Sequence, residues 1–239
     1  MKKIKKGIYL LPNLLTTLGL FAGFYAIILS FNQQFITASA AIFIAMIFDA
    51  LDGRVARLTN TQSTFGEQYD SMADMVSFGI APALLVYLLG LNNLGNIGWL
   101  AVFVYVAGGA LRLARFNSQI DIQDKKYFQG LPSPAAAALV SSMVWTFEIY
   151  HLKDSIYLLV IIVVSGVLMV SNIRYYSFKD INLKGRVPFK WILLVVVFLV
   201  TIAYKPAQTL FIGFLIYVIS GVVWTIVEIK RKKSLKNKT

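Results

Sequence analysis

The sequence predicts an all-α protein, a polytopic membrane bundle of about eight transmembrane helices. Hydrophobic residues make up 58% of the 239 residues and charged residues only 14%, whereas a soluble domain carries about 25% charged residues. The mean hydropathy is +0.69. A soluble fold of this length could not bury so much apolar surface, so lipid is the main solvent of the chain.

Long apolar runs locate the eight helices, and each is near the ~20 residues that a helix needs to cross the hydrocarbon layer. Continuous runs, without strict alternation, favour helices over a β-barrel, because backbone polar groups in lipid must be bonded internally. We interpret residues 1–239 as one membrane domain. The predicted spans are Leu14–Phe31, Ile36–Leu58, Glu67–Leu91, Ile97–Phe116, Pro134–Tyr150, Ser155–Ser171, Pro188–Ala203 and Thr209–Ile229.

The basic residues predict which side of the membrane each end faces. If the N-terminus is cytoplasmic and the chain crosses eight times, only Lys153 and Lys205 of the 23 Lys and Arg residues lie outside. This asymmetry predicts an inner-membrane protein with both termini in the cytoplasm. The net charge of +12 then indicates contact with anionic lipid headgroups, and no nucleic-acid partner is expected. The segment Lys2–Leu11 is a candidate interfacial helix.

Four acidic residues lie where two of these spans meet. Asp49 and Asp52 close the second span at i,i+3, and Asp70 and Asp74 open the third at i,i+4. Each spacing places its pair on one helix face. Because a short loop joins the two spans, the helices are predicted to be antiparallel neighbours whose carboxylates face each other at one depth.

Four carboxylates so close together cannot all stay ionised without cations. The chain has no Cys and one His, which excludes thiolate nucleophiles, disulfides, Cys-rich zinc sites and Fe–S clusters. Oxygen ligands alone select Mg²⁺ or Mn²⁺, with Ca²⁺ as a further candidate. The alternative is local ion pairing with Arg54 and Arg57, which the four acids outnumber.

The residues between the two acidic pairs suit a phosphate ligand. Arg57 offers a planar fork of donors, while Gly53, Ala56 and Gly66 leave the nearby helix surface clear. A metal site beside a phosphate-binding Arg at the membrane face fits phosphoryl chemistry on a lipid-linked pyrophosphate, in which metals neutralise the phosphate oxygens.

These residues also match a known family signature. The stretch resembles the complete pattern of the CDP-alcohol phosphotransferases, and the resemblance covers at least the first six spans. It implies a family core at residues 1–175 and an extension at 176–239 that contains a basic loop, two helices and a basic tail. The pattern is Asp49-x2-Asp52-Gly53-x2-Ala56-Arg57-x8-Gly66-x3-Asp70-x3-Asp74.

The resemblance implies a reaction and its residues. In this family an alcohol displaces CMP from a CDP-linked substrate with the help of two divalent metal ions, and a homodimer is expected. Asp74 is implied as general base. The implied metal ligands are Asp49, Asp52, Asp70 and Asp74. The diphosphate would be contacted by Arg57 and Gly53. The cytidine would find room beside Ala56 and Gly66.

Two residues at the start of the first span are further candidates. Asn13 and Thr16 follow Pro12 in a segment that resembles the start of the family's first helix. The resemblance implies that they line the nucleotide pocket. The alternative is ordinary capping of a helix start.

Later segments indicate the acceptor alcohol. RLARFN at 112–117, GLPSPAA at 130–136 and VSNIRY at 170–175 are similar to the membrane-embedded phosphatidylserine synthase branch. That branch uses CDP-diacylglycerol and L-serine and releases CMP. Arg112 and Arg115, with Asn117, are therefore candidates to bind the serine carboxylate or the substrate phosphates. Anchoring by the positive-inside rule is their alternative role.

Two other functions stay open at this point. A sister enzyme could use glycerol 3-phosphate or inositol phosphate, whose phosphate would suit Arg112 and Arg115 equally well. A cation transporter also uses intramembrane acids, but it would place them near the middle of the membrane among broken helices. Here the four acids lie at helix ends beside Arg57.

Overall fold

The computed structural model describes residues 10–118, 127–152, 154–176 and 189–236. Helices dominate these residues, and each of the eight predicted spans coincides with helical structure, which confirms the all-α prediction. The helices are α1 (Leu10–Phe31), α2 (Phe35–Thr59), α3 (Thr64–Asp74), α4 (Ala81–Leu89), α5 (Asn96–Ser118), α6 (Ser133–Ile149), α7 (Ser155–Val170), α8 (Phe189–Tyr204) and α9 (Pro206–Lys236).

The third predicted span is one continuous rod made of three parts. A π-helical segment, Met75–Ile80, joins α3 to α4, and together they form a 26-residue apolar helix. Five helical segments of the described chain are long and apolar enough to cross a membrane, and α7 is a shorter apolar helix. The protein is therefore an integral membrane protein.

The core is arranged around α6, which contacts α2, α4, α7 and α9. Its first half carries Ala136, Ala137 and Ala138, all fully buried. These small side chains let the neighbouring helices approach closely, as is typical of helix packing in membranes. Large apolar side chains cover the outward faces, for example Phe21 on α1 and Ile216 on α9, which suits lipid contact.

Two short strands were not predicted. β1 (Tyr127–Gln129) and β2 (Arg174–Tyr176) pair antiparallel, with Phe128 opposite Tyr175. They connect the segment before α6 to the segment after α7. Three residues per strand carry too little of the period-2 pattern that would identify a strand in sequence.

Some predicted boundaries shift. The first helix begins at Leu10, four residues before the predicted Leu14, so Pro12 lies inside its first turn, where proline is tolerated. Most of the predicted interfacial helix Lys2–Leu11, and of the basic loop before α8, lies outside the described residues.

The π-helical segment has an identifiable cause. Pro82 has no N–H to donate to the carbonyl of Phe78, four residues earlier, so an α-helical bond is missing there. The hydroxyl of Tyr105 on α5 donates to that carbonyl at 2.9 Å. Ser77 in the same segment donates to the carbonyl of Gly19 on α1 at 3.2 Å. The irregular turn is thus tied to both neighbouring helices, directly after Asp74.

Glycines bring α5 and α7 into backbone contact. A Cβ built on Gly108 would collide with the carbonyl oxygen of Gly166, and a Cβ on Gly166 would lie 2.8 Å from the Cα of Tyr105. Neither position has space for a side chain. The close approach fixes the inner part of α5, which carries Arg112.

We expect Gly108→Ala to lower the thermal stability of the detergent-solubilised protein, because the added methyl group must push α5 away from α7. Overpacking of this kind costs about 1–3 kcal/mol. The midpoint of thermal aggregation, followed by fluorescence-detected size-exclusion chromatography, measures the effect. Gly213→Ala on α9 is the matched control, since no atom lies within 4 Å of its added Cβ. Equal midpoints for both variants would contradict the close contact.

Candidate active site

Four carboxylates from α2 and α3 line one narrow cleft. One oxygen each from Asp49, Asp70 and Asp74 lie within 4.8 Å of one another. Asp52 lines the same cleft and is only 4% exposed. The structure thus brings all four acidic residues of the signature together.

The turn between α2 and α3 explains this arrangement. Asn60 adopts a left-handed conformation (φ 53°, ψ 43°) and its N–H caps the carbonyls of Ala56 and Arg57, which ends α2. Asn is one of the few residues that tolerate this conformation. Three residues later Ser63 accepts a hydrogen bond from the N–H of Gly66 at 3.0 Å and starts α3. The reversal turns both acidic faces inward.

Helix α1 supports the cleft from a third side. The hydroxyl of Thr16 donates to a carboxylate oxygen of Asp52 at 2.6 Å. A Cβ on Gly66 would lie 3.4 Å from the side-chain oxygen of Asn13, so glycine permits the close approach of α1 and α3. Thr16 therefore lines the cleft and Asn13 lies beside Gly66, while their contact with a nucleotide stays a prediction. A buried carboxylate such as Asp52 needs hydrogen bonds of this kind to offset the loss of water.

The residues fit a divalent metal ion. Ligand oxygens on opposite sides of an Mg²⁺ or Mn²⁺ ion lie roughly 4 Å apart, since each bond is about 2.1 Å. The oxygens of Asp49, Asp70 and Asp74 all lie within 4.8 Å of one another. They would therefore need to move together only slightly to bind one ion. Within the described part of the chain, no Lys or Arg lies within ion-pair distance of Asp70 or Asp74. The negative charge of the cleft is thus suited to a cation.

Arg57 lies beside Gly53, the residue after Asp52. Its side chain is exposed, and its guanidinium lies along the face of Gly53, where an added Cβ would be 3.4 Å from Nη1. It interacts electrostatically with Asp52, one and a half turns earlier. Ala56 is half-buried beside it. This region can therefore accept a phosphate oxygen from the open side.

Arg112 approaches the cluster from α5. It is 9% exposed, and its Nη1 donates to the hydroxyl of Ser133 at 2.8 Å. Its guanidinium interacts electrostatically with Asp74. No partner for its buried Nε is found within the described ranges. A buried cation with an unused donor, beside a carboxylate cluster, is a candidate anion-binding group.

The other two acceptor candidates point elsewhere. Arg115 donates to the side-chain oxygen of Asn172 at 3.0 Å and to the carbonyl of Val170, so it caps the end of α7. The amide of Asn117 donates to the hydroxyl of Ser71 at 3.0 Å and joins α5 to α3. Arg112 and Arg115 share a helix face, but their head groups have different neighbours. Whether Arg115 and Asn117 also bind an acceptor stays a prediction.

Two residues of the site were missed by the sequence reasoning. Ser133, at the start of α6, lies within the GLPSPAA segment, but nothing there indicated that it would hold Arg112. Tyr217 on α9 interacts electrostatically with Arg112, and its ring centre lies 5.6 Å from that of Tyr175. Ser133 is 21 positions from Arg112 and Tyr217 is about a hundred positions away, so neither proximity leaves a local pattern in one sequence.

Comparisons with known proteins support a specific family. A family model described as CDP-alcohol phosphatidyltransferase matches residues 9–173. A Helicobacter pylori protein named CDP-diacylglycerol–serine O-phosphatidyltransferase is 40% identical over 227 residues, which cover 93% of this chain and 94% of that protein.

Two further relatives carry the same printed name. The Mycobacterium leprae protein is 30% identical, over 88% of this chain and 73% of its own length. The Methanocaldococcus jannaschii protein is 36% identical, over 75% of this chain and 80% of its own length. The similarity thus extends across bacterial and archaeal sequences and well beyond the aspartate signature.

Proposed function

The chain belongs to the CDP-alcohol phosphatidyltransferase family, and from this premise we propose that it is a phosphatidylserine synthase. It transfers the phosphatidyl group of CDP-diacylglycerol to L-serine and releases CMP. The names of the relatives support this activity. The observation that carries it is the cluster of Asp49, Asp70 and Asp74 within 4.8 Å, faced by the buried Arg112.

The aspartates hold the divalent ions in this proposal. Asp49, Asp52, Asp70 and Asp74 together suit two ions, Mg²⁺ or Mn²⁺, through oxygen ligands alone. When bound, such ions neutralise the diphosphate oxygens and stabilise CMP as it leaves. Thr16, through its 2.6 Å bond, holds one oxygen of Asp52 and so leaves the other oxygen for the cleft.

The nucleotide lies on the α1–α2 side of the cleft. Arg57, exposed beside Gly53, contacts the diphosphate with its planar fork of donors. Gly66 and Ala56 leave space for the cytidine, and Asn13, next to Gly66, lines the same space. The acyl chains extend from the cleft between helices into the bilayer.

Asp74 acts as the general base. It accepts the proton of the serine hydroxyl while the hydroxyl oxygen attacks the phosphorus on the lipid side of the diphosphate. The new phosphorus–oxygen bond forms as the bond to the CMP oxygen breaks, so CMP leaves with the electron pair. No covalent enzyme intermediate is needed, and the chain contains no Cys to form one.

Arg112 binds the acceptor. Its guanidinium pairs with the serine carboxylate, a charge-assisted bond for which arginine is well suited. Arg112 interacts electrostatically with Asp74 without lying within ion-pair distance of it, so serine can contact Arg112 with its carboxylate and Asp74 with its hydroxyl. The bond to Ser133 at 2.8 Å holds the guanidinium in that place. Arg115 and Asn117 keep the surrounding helix ends together and are secondary candidates for serine contact.

The site faces the cytoplasm in this proposal, and both termini lie there. The support is the distribution of Lys and Arg, of which only Lys153 and Lys205 would lie outside. A cytoplasmic site gives serine and CMP direct access from water, while CDP-diacylglycerol enters from the membrane. We also expect a homodimer in the inner membrane, as the family resemblance implies.

The proposal predicts which acceptor the purified enzyme uses. With CDP-diacylglycerol in mixed micelles and Mn²⁺ or Mg²⁺, labelled L-serine should enter phosphatidylserine with release of one CMP per product. Glycerol 3-phosphate and inositol phosphate should give no lipid product; because their phosphates would also suit Arg112, this expectation rests on the relatives, which are named as serine enzymes. Product with glycerol 3-phosphate but none with serine would identify a sister enzyme. Nucleotide-independent cation uptake into proteoliposomes would instead support a transporter.

Asp74→Asn should abolish turnover, since the amide cannot accept the serine proton, while part of the affinity for CDP-diacylglycerol remains. Initial rates of CMP release, together with equilibrium binding of labelled CDP-diacylglycerol in detergent, separate the two effects. Glu67→Gln makes the same change of charge on an exposed position of the same helix and should keep normal turnover. A near-normal rate for Asp74→Asn would exclude its role as base.

Arg112→Ala and Arg115→Ala should both raise the KM for serine more than the KM for CDP-diacylglycerol, and Arg112→Ala should have the larger effect. Loss of a bond to a charged group predicts an increase of roughly 10- to 100-fold for Arg112→Ala. Arg115→Ala should also lower thermal stability, because it removes the cap on α7. Steady-state kinetics and melting curves measure these effects. Equal increases in both KM values for Arg112→Ala would indicate general structural damage.

A further inference from the structure

The backbone carbonyl of Phe78 lies in the π-helical segment that follows Asp74, and it lacks its α-helical donor. Pro82, four residues later, has no N–H to give. Phe78 is only 1% exposed, and a buried carbonyl without its helical donor is costly in a membrane unless a neighbouring helix provides another. The hydroxyl of Tyr105 on α5, itself fully buried, donates to this oxygen at 2.9 Å. Tyr105 therefore supplies the bond that Pro82 cannot make.

The π-helical segment is held closely on two sides. On one side, the hydroxyl of Ser77 donates to the carbonyl of Gly19 on α1 at 3.2 Å, and a Cβ built on Gly23 would collide with Ser77. On the other side, a Cβ built on Gly109 of α5 would lie 3.8 Å from the Cα of Gly79. The segment thus packs against α1 and α5 at van der Waals distance.

The same segment sets the rotation of α3 relative to α4. Packing fixes α4, in which Leu85 and Val86 are fully buried. At the end of the segment the N–H of Ala81 donates to the carbonyl of Val76, five residues earlier. Such a bond takes up one more residue per turn than an α-helical bond, and one residue corresponds to about 100° of an α-helix. The direction in which Asp74 points therefore depends on the geometry of this segment.

We propose that Tyr105 is a positioning residue for the reaction: by binding the carbonyl of Phe78 it fixes the π-helical segment and thereby the place of the Asp74 carboxylate. Tyr105 acts through the backbone and is not assigned a contact with the substrate. The proposal rests on the role of Asp74 as general base in the proposed function. It gives the irregular turn a part in catalysis in addition to its part in packing.

Tyr105→Phe keeps the ring and removes the hydroxyl that binds Phe78. It should lower kcat, measured per folded enzyme, by roughly 10- to 100-fold, because a small misplacement of a reacting group costs about that much. The KM for CDP-diacylglycerol should not change, since its diphosphate is assigned to Arg57 and Gly53. The melting temperature should also fall. Steady-state kinetics on the monodisperse fraction from size-exclusion chromatography separate loss of rate from loss of folded protein.

Ser155→Ala is the matched control for a purely structural role. The hydroxyl of Ser155 on α7 donates to the carbonyl of Gly90 at 3.1 Å, directly after the end of α4. The substitution therefore also removes a bond from a hydroxyl to a carbonyl of the same chain segment, but far from Asp74. It should lower the melting temperature and leave kcat unchanged. A decrease in kcat as large as that of Tyr105→Phe would overturn the proposal, since any loosening of the helix would then slow the reaction.

A second substitution separates the bond's effect on stability from its effect on catalysis. Pro82→Ala restores an N–H that can donate to the carbonyl of Phe78. In Tyr105→Phe/Pro82→Ala the melting temperature should recover to that of Pro82→Ala alone, while kcat stays low because the link to α5 is still missing. This double variant keeps the test decisive if Tyr105→Phe alone does not fold. Recovery of kcat together with the melting temperature, or a wild-type kcat in folded Tyr105→Phe, would overturn the proposal.

These outcomes also distinguish this proposal from the proposed function. If the wild-type enzyme uses glycerol 3-phosphate and not serine, the serine assignment fails, and the variants are measured with glycerol 3-phosphate. A lower kcat in Tyr105→Phe would then still support the positioning role. If serine is the substrate and Asp74→Asn abolishes turnover, but folded Tyr105→Phe reacts at the wild-type rate, the proposed function stands and the positioning role fails.

Discussion

The crowding of four carboxylates at one end of a membrane bundle is the constraint on which the rest of the site depends. Negative groups within 4.8 Å of one another repel strongly where water is scarce. Fixed contacts keep the carboxylates together. The helix caps formed by Asn60 and Ser63 reverse the chain between α2 and α3. The hydroxyl of Thr16 donates to a carboxylate oxygen of Asp52 at 2.6 Å. Cations bound between the carboxylates would offset this repulsion and stabilise the arrangement.

The π-helical segment links this cluster to the acceptor side. Tyr105 and Arg112 are seven residues apart on α5 and so share one face. Tyr105 bonds to the carbonyl of Phe78 at 2.9 Å, and Arg112 lies near Asp74, one turn before Phe78. The antiparallel helices are thus in fixed register. The turn that Pro82 disrupts supplies the carbonyl that sets this register, which agrees with the frequent occurrence of π-helical turns at functional sites.

The acidic half of the site was predictable because neighbouring residues in the sequence determine it. Helix periodicity alone puts Asp49 with Asp52 and Asp70 with Asp74 on single faces, and a short loop makes the faces meet. The signature resemblance named the family, and the match to residues 9–173 confirms it. The spans were predictable for the same reason, since hydropathy is summed over about twenty neighbouring residues.

The acceptor half was not predictable in the same detail. The i,i+3 spacing of Arg112 and Arg115 suggested a shared task, but a long side chain can turn toward different neighbours. Arg112 bonds to Ser133, while Arg115 caps α7. The approach of Tyr217 depends on how α9 packs against β2, a strand too short to be recognised. Long-range packing decides these positions, and one sequence does not encode it in a readable local pattern.

Anomalous diffraction from crystals grown with CDP-diacylglycerol and Mn²⁺ tests the metal role of the aspartates most directly. We expect anomalous density within coordination distance, about 2.0–2.6 Å, of oxygens from Asp49, Asp70 and Asp74. That density should disappear in Asp70→Asn and persist in Glu67→Gln. Active protein whose crystals show Mn²⁺ only at other residues, or whose density is unchanged in Asp70→Asn, would contradict it.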